Sequence, residues 1–248
     1  MNGVMLGTGG FHPNEARHTA GILLPGSGVL LDAGTSAFRV AERLESPELQ
    51  IFLTHPHWDH IIGLTFLLVP MIDGRIQRCR LYGDNHTLEA VKTLLFAEAT
   101  FPILPAFEFC PLDETPEIAI PGGTLRHQAL ASHPGGSRAY RLDFSSGSLA
   151  YVTDTSTDGT YRDFIRGADL LIHECYFADG REALAEKTGH SCLSPVARAA
   201  AEGGVGQLLL THIDPLHPEP VPLDLGAARA IFPRTDVASD LQSIAWGR

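Results

Sequence analysis

Cysteine is scarce in this sequence, and the four cysteines present form no recognisable pattern. They stand at positions 79, 110, 175 and 192, without any C-x-x-C pair. A disulfide framework of the kind that stabilises small secreted domains is therefore not expected. This usage of cysteine is typical of a protein from a reducing compartment.

Long apolar runs are also missing. No run reaches the ~18 residues that a membrane-spanning helix needs. The N-terminal segment M-N-G-V-M-L-G-T-G-G lacks the basic start and extended apolar core of a signal peptide. We therefore expect no membrane association and a cytoplasmic location.

Positive charge is in the minority. The 248 residues include 18 Lys+Arg and 29 Asp+Glu, which gives a formal net charge of −11. This balance disfavours a broad electrostatic surface for nucleic acid. The hydrophobic fraction of 44% is ordinary for a globular chain and argues against disorder. Because one core can serve this length, we expect a single domain spanning residues 1–248.

Short apolar runs alternate with helical patterns along the whole chain. The first three runs, at Val4–Leu6, Gly21–Leu24 and Val29–Leu31, predict an antiparallel meander. Helices are predicted at 36–44 and 59–69, and the second half repeats the alternation. The pattern predicts an α/β fold in which two packed sheets are covered by helices, a four-layer αββα sandwich.

Four metal-binding side chains are concentrated in one segment. Residues 54–60 read T-H-P-H-W-D-H, directly after the apolar strand Ile51–Leu53 and at the start of a helix. The segment therefore offers His55, His57, Asp59 and His60 within six positions. Imidazole and carboxylate ligands suit zinc, manganese or iron in hydrolytic sites. The pattern is too dense for an ordinary solvated turn.

Three further polar residues each end an apolar run. His133 follows the strand L-R-H-Q-A-L-A-S, Asp154 follows L-A-Y-V-T, and His212 follows Q-L-L-L-T. Strand ends of this kind lie on one rim of a sheet. We therefore expect His133, Asp154 and His212 to complete the metal site.

With these motifs in order, the sequence resembles the metallo-β-lactamase superfamily. The resemblance implies the αββα sandwich and a centre of two divalent metal ions, zinc first, with manganese or iron as alternatives. It also implies the ligand sets. His55, His57 and His133 would hold one ion, Asp59, His60 and His212 would hold the other, and Asp154 would bridge both.

Other segments resemble the ribonuclease Z and phosphodiesterase branch of that superfamily. They are L-G-T-G-G-F-H-P-N-E-A-R-H-T-A-G-I-L-L (6–24), L-L-D-A-G-T (30–35), D-L-L-I-H-E-C-Y-F (169–177), T-G-H-S-C-L-S-P-V-A-R-A (188–199) and A-S-D-L-Q (238–242). Branch members form homodimers, and the apolar stretch Ile61–Met71 is a candidate contact for one here.

Phosphodiester cleavage needs a nucleophile, neutralisation of the phosphate oxygens and a proton for the leaving alkoxide. Two cations can supply the first two needs. Asp59 is a candidate to orient the attacking hydroxide, and His190, backed by Glu174, is a candidate to protonate the leaving group. A structural role for His190 at a helix start is the alternative.

The leading hypothesis is a binuclear metal-dependent hydrolase that cleaves a small or cyclic phosphodiester by attack of a metal-bridged hydroxide. Residues 134–153, the 20 residues between His133 and Asp154, leave no room for the long basic arm by which tRNA-processing members grip tRNA. Nucleic acid is therefore a less favoured partner than a small molecule. The alternatives are a ribonuclease Z-type tRNA 3′ endonuclease, an ester, lactone or thioester hydrolase, and a metal-retaining RNA- or partner-binding module without useful turnover.

Overall fold

Two seven-stranded sheets form the centre of the protein in the computed structural model, which describes residues 1–217 and 223–247. The strands of the first sheet are β1 (Asn2–Gly7), β2 (Gly21–Leu24), β3 (Val29–Leu31), β4 (Glu48–Phe52), β5 (Arg78–Gly83), β6 (Phe107–Pro111) and, last in the chain, β14 (Gln242–Ala245). Those of the second sheet are β7 (Glu117–Ile120), β8 (Gly123–Leu130), β9 (Ser137–Phe144), β10 (Gly147–Val152), β11 (Leu170–Glu174), β12 (Leu208–Thr211) and β13 (Thr235–Val237).

Helices connect the strands. They are α1 (Trp58–Ile61), α2 (Leu68–Ile72), α3 (Asn85–Ala90), α4 (Arg162–Ile165), α5 (Glu182–Thr188), α6 (Leu193–Gly203) and α7 (Leu225–Ile231). Short 3-10 helices span Thr35–Arg39 and Ile62–Leu67, and a π-helical segment, Val91–Leu95, extends α3. In the part of the chain that the structure describes, no helix combines the length and apolar character needed to cross a membrane.

The strands that precede the predicted ligands end at one edge of each sheet. The first sheet has the order β14-β1-β2-β3-β4-β5-β6, with the predicted antiparallel meander over β1–β3 and parallel pairs from β3 to β6. The second has the order β13-β12-β11-β10-β9-β8-β7, and β10, β11, β12 and β13 run parallel. Chain segments that leave β10, β11 and β12 therefore emerge side by side.

Three buried apolar clusters define the layers. The first lies between the sheets and includes Phe52 and Tyr140. The second packs helical residues such as Leu64 and Leu88 on the first sheet, and the third packs α6, through Val196, on the second sheet. Helices thus cover the outer faces of the two packed sheets, and the predicted four-layer αββα sandwich is confirmed.

Two predicted helices differ from the sequence pattern: one is shorter, and the other is interrupted. The helix predicted at 36–44 is a 3-10 helix over Thr35–Arg39. The helix predicted at 59–69 begins as α1, tightens into a 3-10 helix at Ile62–Leu67 and resumes as α2. The N–H of Gly63 donates to the carbonyl of Ala33, outside the helix. The carbonyl of Ala33, in the loop after β3, thus accepts a hydrogen bond that a helical carbonyl would otherwise accept.

Candidate metal centre

The T-H-P-H-W-D-H segment spans the turn after β4 and the start of α1, which contains Asp59 and His60. His55 and His60 are buried there, whereas His57 is exposed on the same turn. The backbone N–H of Phe11 donates to Asp59 Oδ2 over 2.9 Å, which fixes this carboxylate from a second loop. The turn therefore presents its four polar side chains to one small volume, as the sequence predicts.

Three other strand ends supply the remaining predicted ligands. His133 lies between β8 and β9, Asp154 follows β10, and His212 follows β12. Asp154 and His212 both have positive φ angles, 47° and 56°. A left-handed conformation costs an ordinary residue about 1–2 kcal/mol, so the surrounding structure must stabilise it. Its effect is to aim both side chains back toward His60.

The possible ligand atoms form three groups, within each of which they lie no more than 4.8 Å apart. The groups are His55, His57, His133 and Asp154; Asp59, His60 and His212; and Asp154, His190 and His212. The first two groups contain the two predicted ligand sets. Asp154 Oδ2 is 3.7 Å from His55 Nε2 and 3.8 Å from His133 Nε2. Its other oxygen, Oδ1, is 3.2 Å from His60 Nε2 and 3.4 Å from His212 Nε2. One carboxylate oxygen therefore faces each set.

Ring nitrogens of several histidines converge in the centre. His133 donates from Nδ1 to the carbonyl of Gly189 and His60 donates from Nδ1 to Asp32, which directs Nε2 of each ring into the centre. There, His133 Nε2 lies 3.1 Å from His57 Nδ1, and His60 Nε2 lies 3.4 Å from His212 Nε2. The buried Nε2 of His55 has no hydrogen-bond partner. Ring nitrogens that converge in this way fit bound divalent cations.

The electrostatics of the centre favour ligand forms and positive charge. Burial, together with the nearby His60, lowers the pKa of His55 and keeps its imidazole neutral. Burial alone would raise the pKa of Asp154, but His212, His60 and His55 hold that pKa well below its usual range. Against the effect of burial, Asp154, Asp59 and Asp32 raise the pKa of His60. The field at this point therefore attracts a cation.

The other two predicted site residues meet beside this centre. His190 Nδ1 donates to Glu174 Oε1 over 3.0 Å. Glu174 is completely buried and also accepts hydrogen bonds from the backbone N–H groups of Thr155, Tyr176 and Ser191. Burial opposes protonation of His190, but the charge and hydrogen bond of Glu174 raise its pKa to about 9. The pair can therefore hold a proton near neutral pH.

The His190 ring packs against two histidines that are predicted metal ligands. Its centroid is 4.9 Å from that of His133 and 5.5 Å from that of His212. The structure thus brings together all nine residues singled out in the sequence. Their roles as ligands, base and acid stay predictions.

Sequence reasoning missed a buried support beneath the centre. Asp32 is completely buried and accepts hydrogen bonds from Thr54, from His60 and from the hydroxyl of Tyr151. The only sequence signal for it was its place in L-L-D-A-G-T. Sequence reasoning also missed Gly10. A Cβ atom at this position would lie 2.5 Å from the His212 ring. Glycine at this position lets the first loop close over His212.

The centre opens into a cleft of about 270 Å³. Its lining residues are Phe11, His57, Asp59, His133, Asp154, Tyr176, Phe177, Thr188, His190, His212 and Leu216. None of these is a lysine or arginine. The lining thus combines the polar side chains of the centre with aromatic and aliphatic side chains.

Comparisons with known proteins agree with this architecture. The family model described as Beta-lactamase superfamily domain matches residues 28–213. A ribonuclease Z of Salinibacter ruber is 30% identical over an alignment of 302 positions, gaps included, which covers 96% of this chain and 92% of the relative.

Two solved structures show the same fold. The metallo-β-lactamase fold protein YhfI of Bacillus subtilis has a TM-score of 0.81 at 24% identity, with 98% of both chains covered. The short form of human tRNase Z has a TM-score of 0.76 at 21% identity, with 100% of both chains covered.

Proposed function

The chain belongs to the β-lactamase superfamily and is ribonuclease Z-like within it; from that premise, we propose that it is a metal-dependent phosphodiesterase acting on a small or cyclic phosphodiester. The observation that carries the proposal is the hydrogen-bonded pair of His190 and Glu174 beside two groups of side chains that could hold metal ions. A diester with an alkoxide leaving group requires both.

The ligand sets follow the family resemblance, and the two oxygens of Asp154, which face His55 and His133 on one side and His60 and His212 on the other, support the division. His55, His57 and His133 would hold one divalent ion, Asp59, His60 and His212 would hold the second, and Asp154 would contact both. We take zinc as the resident metal because imidazole and carboxylate ligands suit it, although manganese and iron bind similar ligands. When bound, two such ions acidify a water molecule and neutralise the phosphate charge.

Asp59 and His190 would then handle the proton transfers. Burial alone would raise the pKa of Asp59, but His60 and His212 hold that pKa well below its usual range. The carboxylate therefore stays ionised and can orient the attacking water. Nδ1 of His190 is occupied by Glu174, which leaves Nε2 to give a proton to the departing oxygen. Positioned proton transfer of this kind contributes about 10²–10⁴-fold to a rate.

The dimensions of the cleft support a small substrate. Its volume of about 270 Å³ lies just under the ~300–1,000 Å³ typical of small-molecule sites. The chain between His133 and Asp154 forms only the hairpin of β9 and β10, whose turn is residues 145–146. Arg138 in this hairpin pairs with His127 and Asp84, not with the cleft. Together with the net charge of −11, this leaves little phosphate-binding surface for a polymer.

A tRNA 3′ endonuclease is the second candidate, because the Salinibacter ruber relative, which aligns along nearly the whole chain, is a ribonuclease Z. Both candidates use the same centre and differ in what binds outside it.

A substrate panel separates the candidates. Zinc-loaded protein is assayed with bis-p-nitrophenyl phosphate, with 2′,3′-cyclic nucleotides, with p-nitrophenyl acetate and with a tRNA precursor carrying a 3′ trailer; the chelated protein is the control. We expect turnover of the diesters and little cleavage of the precursor. Efficient precursor cleavage would favour the endonuclease, ester turnover alone would favour an esterase, and RNA binding without any turnover would favour a binding module.

A further inference from the structure

The lining of the cleft contains an aromatic side chain that folding alone does not explain. Phe11 is 66% exposed, although it borders the cleft. Its φ angle is +61°, a left-handed conformation that ordinary side chains rarely adopt. A large exposed ring in a strained conformation gains nothing from burial. Strained backbone conformations of this kind cluster at active sites and ligand-binding sites.

The Phe11 backbone is held firmly in place. Its N–H donates to Asp59 Oδ2 over 2.9 Å. On either side, Gly10 donates to the carbonyl of Ile213, and the N–H of His12 donates back to the carbonyl of Gly10. The ring is therefore presented at the mouth of the cleft by a loop that is tied both to a predicted ligand and to the chain after β12.

A second aromatic surface lies on the His190 side of the cleft. The Tyr176 ring stacks on His190 with centroids 5.1 Å apart and an interplanar angle of 25°. Phe177 packs edge-on against Tyr176 at 5.0 Å. Burial and the nearby Asp214, which hydrogen-bonds to it, raise the pKa of the Tyr176 hydroxyl, so the phenol stays neutral. These rings add apolar surface without adding charge.

We propose that Phe11, with Tyr176 and Phe177, binds a planar aromatic group of the substrate, such as a nucleobase or aryl ring, beside the phosphodiester. The inference rests on the proposed function and narrows its substrate class. Bound cations and His190 account for the anionic phosphate. Apart from Thr188, the rest of the described lining is aromatic and aliphatic, and it contains no lysine or arginine that could recognise a second phosphate. Stacking on an aromatic ring is the interaction that such a lining provides.

Binding of two matched ligands tests the proposal directly. AMP and ribose 5-phosphate differ in the nucleobase, and their affinities for the zinc-loaded chain are measured by calorimetry. We expect AMP to bind about tenfold more tightly, within the range that stacking on aromatic side chains gives. The pair phenyl phosphate and cyclohexyl phosphate shows whether any planar ring suffices or a nucleobase is required.

Substitution of Phe11 tests whether its ring causes the preference for AMP. Phe11→Ala should remove most of the preference for AMP and leave the affinity for ribose 5-phosphate unchanged, whereas Phe11→Trp should retain the preference. Phe66→Ala, which removes another exposed phenylalanine outside the cleft lining, should change neither affinity. Equal affinities in the unaltered protein, or an unchanged preference in Phe11→Ala, would overturn the proposal.

The outcome is separable from that of the substrate panel. Diester turnover without a preference for AMP would reject the aromatic site and keep the phosphodiesterase. A preference for AMP without turnover of any diester would keep the aromatic site and reject the phosphodiesterase.

Discussion

His60 Nδ1 lies 2.8 Å from Asp32 Oδ2, and both side chains are completely buried. The hydrogen bond fixes the tautomer of His60 and turns its Nε2 toward Asp154 and Asp59. Asp32 is itself held by Thr54 and Tyr151. A carboxylate that orients a histidine in this way raises the affinity of the ring for a metal.

Asp32→Asn should therefore weaken metal binding by about 10–100-fold. The amide carries no charge and accepts the His60 hydrogen bond less strongly. A competition titration between the protein and a zinc-binding dye measures the change. Tyr151→Phe is the matched control, because it removes a 3.0 Å hydrogen bond to the same oxygen but keeps the carboxylate; we expect its effect to be much smaller. Folded Asp32→Asn protein with unaltered zinc affinity would show that this pair does not support the centre.

Asp59→Ala should abolish diester turnover, a loss of at least about 10³-fold in kcat, because Asp59 is assigned both as a ligand and as the group that orients water. The fold should persist, since Asp59 lies at the rim of the cleft, and the unfolding free energy should change by no more than about 1 kcal/mol. Steady-state assays and thermal unfolding test the two statements. Asp73→Ala, in an exposed pair with Arg75, should change neither. Residual activity near that of the unaltered enzyme would remove Asp59 from the mechanism.

His190→Ala should slow alkyl diesters by about 10²–10⁴-fold and nitrophenyl diesters far less. Nitrophenolate leaves without a proton, whereas an alkoxide needs one from His190. The comparison uses kcat for methyl and p-nitrophenyl leaving groups on the same phosphate. His86→Ala, an exposed histidine in α3, serves as the control and should leave both rates intact. Equal losses on the two substrates would refute the general-acid assignment.

The activity on alkyl diesters should fall at alkaline pH. Glu174 raises the pKa of His190 to about 9 against the opposing effect of burial, so the imidazole is protonated below that value and loses its proton above it. Bound cations act in the opposite direction and place the alkaline limb between about 6.5, the ordinary value, and 9. The limb should move to lower pH in Glu174→Gln, because the stabilising charge is gone. An identical limb in the pH profile of His190→Ala would assign it to another group.

The sequence was sufficient to predict the elements that carry the site. T-H-P-H-W-D-H places four ligands on one turn, and the apolar runs before His133, Asp154 and His212 place the others at strand ends. Because parallel strands end at the same edge of a sheet, local patterns alone indicate that these residues meet. The four-layer arrangement follows from apolar strands that alternate with helices.

Other features depend on contacts that no local pattern records. The break in the helix predicted at 59–69 arises from the Gly63 hydrogen bond to Ala33, a residue 30 positions earlier. The role of Asp32 depends on its meeting with His60 and Tyr151. The outward position of Phe11 follows from a positive φ, which cannot be read from a phenylalanine in a sequence.

Metal content is the most direct test of the central claim that seven side chains hold two divalent ions. The full chain is loaded with zinc, dialysed against metal-free buffer and analysed by inductively coupled plasma mass spectrometry. The account predicts two equivalents of zinc per chain, reduced in Asp154→Ala, which removes the carboxylate that faces both sets. A content well below one equivalent in the unaltered protein, together with full diester turnover after exhaustive chelation, would contradict it.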